Sequence, residues 1–131
     1  MIKANIGEIW IVLNPKIRAN NKNNISVELE KRPCLIIDDG HGFIIEKTND
    51  YLGMKITTQD KGIRKKEIKN WYDVGLKHKS YLRIEPPIKI EKEQLIRKIG
   101  QVSKYDLYMY LNELSDYFNI DMLEKFKEGT C

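Results

Sequence analysis

The sequence predicts a small α+β domain, a series of strands followed by one clear helix, and three observations predict it. Short runs rich in β-branched and aromatic residues recur from Gly7 to Ile90, bounded by Asn, Asp, Gly or Pro. Only one stretch, opening at Ser103, carries apolar residues at clear helical spacing. With 131 residues, 41% of them hydrophobic and 32% charged, the chain can bury one real core and is too apolar to stay disordered.

Bulk charge and cysteine usage narrow the function classes. A net charge of +4 favours a polyanionic partner, though weakly. The two cysteines, Cys34 inside an apolar run and Cys131 at the last position, have no CxxC spacing, which argues against a disulfide framework and a zinc cluster. The apolar run Ile9 to Leu13 is too short for a membrane span or a signal peptide, so a cytoplasmic protein is expected.

The elements follow in order. Gly7 to Leu13 (GEIWIVL) predicts a first strand ended by Asn14 and Pro15. Lys16 to Asn24 (KIRANNKNN) lacks periodicity and predicts a basic loop, either a plain solvated loop or a phosphate-steering arm. Ser26 to Arg32 leads through Pro33 into CLII, a continuous apolar run of the central-strand type, with Arg32 at the start of that strand. Asp38 to Gly42 (DDGHG) carries hairpin turn chemistry, and Phe43 to Lys47 is expected to return as a partner strand. Tyr51 to Thr58 predicts a strand whose two terminal threonines can either serve the sheet or donate to a phosphate. Lys61 to Lys69 is strongly basic, suits an exposed hairpin and leads into Trp71 and Tyr72, which are either core or stacking surfaces for single-stranded nucleic acid. His78 is either a solvated loop residue or an acid titrating near neutrality.

Ser80 to Ile90 (SYLRIEPPIKI) is the stretch with the most chemistry. At a period of two, Tyr81, Arg83 and Glu85 share one face, while Leu82 and Ile84 share the core face. A cation beside a carboxylate is either an ordinary solvated pair or the means to hold a phosphodiester and take a proton from a nucleophile. Pro86 and Pro87 withdraw two backbone donors, so the ladder must break just past Glu85 and leave the pair near a rim. Beyond it, Glu91 to Gln94 predicts a helical turn and Ile96 to Val102 a short strand. Ser103 and Asp106 fit a capping box ahead of the stripe Leu107, Tyr110, Leu111, Leu114 and Phe118. The domain is expected to occupy residues 1–120, with 121–131 a tail that can continue as helix.

Taken together, these segments resemble the MazF/PemK-type toxin endoribonucleases of toxin–antitoxin modules. The resemblance is carried by GEIWIVLNP, KRPCLII, MKITTQ and SYLRIEPPIKI in that order, followed by LIRKIGQVS and the capped helix. It implies a strongly twisted antiparallel sheet closing toward an SH3-like barrel with a C-terminal helix, assembled as a homodimer. It also implies cleavage of single-stranded RNA without metal or cofactor, growth arrest, and neutralisation by a cognate antitoxin peptide. By residue, it implies catalytic roles for Arg32 (the Arg-Pro motif), Thr57 (the hydroxyl at a strand end), Arg83 and Glu85. Lys55, Thr58, Arg64, Lys65, Lys66 and His78 are the expected RNA contacts. The chain departs from the family at its Asn-rich loop, where a Gly-x-Glu-Gln motif is usual, and at Ile88, which stands where an arginine often follows. A noncatalytic nucleic-acid-binding module and a protein-interaction module related to gyrase poisons stay open as alternatives.

Overall fold

The structure is a computed structural model and describes residues 2–19, 25–41, 49–62 and 64–118. The return strand expected at Phe43–Lys47, residues 20–24 of the Asn-rich segment and the tail 121–131 lie outside the described residues. Those described form an α+β fold with an antiparallel sheet of seven strands and a C-terminal helix. The strands are β1 (Glu8–Ala19), β2 (Ile25–Asp38), β3 (Tyr51–Thr57), β4 (Lys65–Ile68), β5 (Ser80–Arg83), β6 (Ile88–Ile90) and β7 (Leu95–Gln101), followed by α1 (Lys104–Phe118). They lie in the order β4-β5-β3-β2-β1-β7, with β6 also paired to β3.

The run CLII is apolar throughout because β2 is buried on both faces. Leu35 and Ile37 join Ile9, Met54, Ile56 and Leu82 under α1, whose Tyr110 and Leu114 are buried there. Cys34 and Ile36 point the other way, into a smaller cluster with Trp10, Val12, Tyr51, Ile90 and Leu95. Side-chain alternation along each strand builds both cores from the same strands. The helix starts as its sequence requires: the Asp106 N–H donates to Ser103 Oγ at 3.1 Å. Trp71 packs against the edge of the larger core.

Two expectations about strand ends are corrected. Asn14 and Pro15 do not end β1, which continues to Ala19 paired with β2. Beyond Val12 the strand has no β7 partner, so a proline there costs no ladder bond on that side. Arg32 likewise stands well inside a long strand and not at its start. The double proline does break the ladder. β5 faces Ile56 and Thr57, β6 faces Tyr51 to Gly53, and residues 84–87 bridge the two along β3.

The sheet is open among the described residues, with β4 and β7 at its edges. The turn after β4 nevertheless packs onto β7 through two glycines. A Cβ on Gly100 would collide with the Val74 carbonyl, and one on Gly75, at φ +92°, with the Ile99 carbonyl. Neither obstacle is a flexible side chain. Gly100→Ala is therefore expected to cost at least about 2 kcal/mol, read as a lower urea midpoint at unchanged slope.

Glu8 is buried and held by several donors. The Asn5 N–H (2.7 Å), Trp10 Nε1 (3.0 Å) and Lys98 Nζ (3.0 Å) all reach its carboxylate. Burial raises its pKa, but these bonds to the ionised form outweigh burial and hold it at about 2. A depressed carboxylate contributes stability above its unfolded value and loses it as pH falls through the folded one. Stability should fall between pH 4.5 and about 2, and Glu8→Gln should flatten that slope in pH-dependent denaturant titrations.

Candidate active site

The face that carries the smaller core turns cationic toward one end of the sheet. On β2, Cys34 and Ile36 are buried, and two residues back on the same face stands Arg32. Lys55 pairs with Cys34 across the sheet, so Lys55 and Thr57 face the same way as Arg32. Extending the Ile56–Leu82 pairing by one residue sets Arg83 across from Lys55, and Arg83 itself pairs with Lys65.

Arg32, Lys55, Thr57 and Arg83 line one open cleft of about 660 Å³. Glu30 and Arg32 come from β2, Lys55 to Thr57 from β3 with Thr58 and Gln59 just beyond, and Arg83 from β5. Asn14, Ile88, Lys89 and Gln94 complete the wall. Four cations (Arg32, Lys55, Arg83, Lys89) face one carboxylate, Glu30, so the cleft suits an anionic ligand. Arg32 Nε lies 3.5 Å from Glu30 Oε2, a long contact on a side chain 53% exposed, which leaves the guanidinium accessible.

Arg83 and Glu85 form an ion pair, Nη2 to Oε2 at 3.1 Å, both about one-third exposed. Glu85 does not line the cleft but reaches it through Arg83. The Arg83 Nε is buried and has no hydrogen-bond partner among the described residues. A guanidinium N–H left so costs on the order of 1–3 kcal/mol, more than an exposed ion pair returns. Thr57 Oγ1 accepts from the Gln59 N–H at 3.1 Å, and the hydroxyl keeps its proton to donate.

The remaining sequence candidates are placed elsewhere. Lys65 is on the cleft side, next to Asp60 (3.3 Å) and over the Tyr81 ring, but outside the lining. Arg64 lies over Tyr117 and Lys66 pairs with Glu113 (3.5 Å), so both tie β4 to α1. His78 is exposed in a turn, where its carbonyl accepts from Ser80 Oγ at 2.7 Å. Sequence reasoning missed Glu30, Lys89 and Gln94, and Asn14 as more than a strand terminator. Once the β1 pairing is known, the even-number alternation of Val12, Asn14, Glu30 and Arg32 puts two of them on this face.

Cys34, next to Lys55, is chemically quiet. Burial pushes its thiol up to about 12, and the Lys55 charge lowers it only in part. Among the described residues, no three of His, Cys, Asp and Glu gather as a metal-binding group, and no helix is long and apolar enough to cross a membrane.

Comparison with models of known protein families gives no match, and none of the curated proteins matches the chain significantly.

Proposed function

We propose that this protein is an endoribonuclease of the MazF/PemK toxin type, cleaving single-stranded RNA in the cleft between β2, β3 and β5. One observation carries the proposal: Arg32, Thr57 and Arg83, from three strands far apart in sequence, line one cleft, with Glu85 paired to Arg83 at its margin. A carboxylate can act as the base, and two guanidiniums and a hydroxyl can stabilise the phosphoryl charge, in transphosphorylation by a ribose 2′-hydroxyl.

In this mechanism Glu85 takes the 2′-hydroxyl proton, and the resulting oxyanion attacks the adjacent phosphorus. The bond from phosphorus to the 5′-oxygen breaks, leaving a 2′,3′-cyclic phosphate. The departing 5′-oxygen takes a proton from water. Arg32 and Arg83 hold the charge that grows on the phosphoryl oxygens, and Thr57 donates to one of them. An arginine is not used as the acid, because a guanidinium with a pKa above about 12 gives up its proton too reluctantly near neutrality. Lys55 and Thr58 carry neighbouring phosphates. The open sheet, drawn together at Gly75 and Gly100, is read as an SH3-like frame. In this reading the protein acts in the cytoplasm as a homodimer neutralised by an antitoxin peptide.

The reaction depends on the 2′-hydroxyl. Single-stranded RNA with one deoxyribose at the cleaved step should resist cutting, and chelator should leave the rate unchanged. Arg83→Ala should lower the cleavage rate about a hundredfold to a thousandfold and leave the thermal melt near wild type. RNA that is retained but never cut would make the protein a binding module, and an undiminished rate in Arg83→Ala would remove Arg83 from the site.

A further inference from the structure

Gln94 closes one wall of the cleft, and its amide orientation is fixed by the backbone at both ends. Its Oε1 accepts from the Glu91 N–H at 2.7 Å, and its Nε2 donates to the Leu13 carbonyl at 3.1 Å. A flipped amide would set donor against donor and acceptor against acceptor, so these two bonds settle which atom is nitrogen. The same Nε2 lies 3.5 Å from the side-chain oxygen of Asn14. This long contact favours the oxygen of Asn14 on the Gln94 side and its amide nitrogen on the side away from Gln94. That nitrogen has no hydrogen-bond partner among the described residues, and Asn14 lines the cleft.

Asn14 pairs with Glu30 across the β1–β2 ladder, one same-face step from the Val12–Arg32 pair. The step is about 7 Å along the strands, roughly the distance from a phosphate to its own or the neighbouring base. An oriented primary amide is the side-chain type that reads base edges, since its donor seeks a carbonyl or ring-nitrogen acceptor. We infer that Asn14 is a base-reading residue of this cleft, donating from Nδ2 to an acceptor on one nucleobase at or next to the cleaved step, with Gln94 as the positioning residue that fixes its orientation. The inference rests on the proposed RNA substrate and adds to it the group that selects the base.

Asn14→Asp exchanges the donor for an acceptor at constant size, and Asn14→Ser removes the amide. Wild type and both variants, each checked by thermal melt, would digest a long RNA of mixed sequence, with every cleavage end mapped. In parallel, oligonucleotides blocked by deoxyribose and differing at one base would be bound without being cut. Wild type should favour a base at one position, and Asn14→Asp should lose that preference about tenfold there and at no other position. Asn14→Ser should relax it without inverting it. Gln94→Ala should blur the preference at that same position and at no other, which a merely structural role would not confine to one base.

An unchanged base profile in a folded Asn14 variant overturns the inference and leaves the nuclease standing. Wild type that binds but does not cut overturns the nuclease, and the binding profiles then decide Asn14 alone. Wild type that neither binds nor cuts overturns both.

Discussion

The two-residue period of β2 is the constraint on which the rest of the structure depends. Leu35 and Ile37 face one core, and Cys34 and Ile36 face the other, all at 1% exposure or less. Slipping the pairing by one residue would exchange the two cores and turn Arg32 to the opposite side of the sheet. The apolar residues therefore hold the cations in place. Arg32, Lys55 and Thr57 have no freedom to choose their face, because Cys34 and its neighbours have chosen it for them.

The double proline does for β5 what the core does for β2. A continuous strand would have carried the ladder past Arg83 and aligned residues 84–87 against β3. Pro86 and Pro87 instead end pairing at Arg83 and resume it at Ile88. Arg83 is thereby left at a strand end, with Ile88 and Lys89 returning to form the next part of the wall. The local energetics are unfavourable for stability alone. A one-third-exposed ion pair contributes about 0–1 kcal/mol, while a buried, unpartnered Nε costs more. On the proposed function a bound phosphate would complete this arrangement.

How much of this was legible in the sequence depended on whether the determinant was local. The helix was readable because its cap, Ser103, and its stripe from Leu107 to Phe118 lie in one window. The broken strand was readable because prolines act on their own backbone. Arg32, Thr57 and Arg83 were reachable through motif resemblance, whereas their common cleft is a product of pairing. The extension of β1 past Pro15 was not legible, because proline is tolerated there only through the absence of β7 beyond Val12. Nor was the division of the basic segment, in which Lys65 faces the cleft side while Arg64 and Lys66 face α1. All three are cations in one short run, and only the register against β5 separates them.

The cleft divides its labour between rows of the same sheet face. On the proposed function the arginine and lysine row neutralises phosphate, and such contacts bind every sequence alike. Asn14 beside it is the residue inferred to distinguish one base edge from another, at little gain in affinity. The cations and Asn14 stand on strands, and strands hold geometry more tightly than loops do. Gln94 strengthens this by bonding to the Leu13 carbonyl of β1 from a turn 81 residues later in the chain. Discrimination built in this way survives changes in the loops around it. On the proposed function, base selection would therefore rest on Asn14, a residue held within a paired strand, and not on a loop.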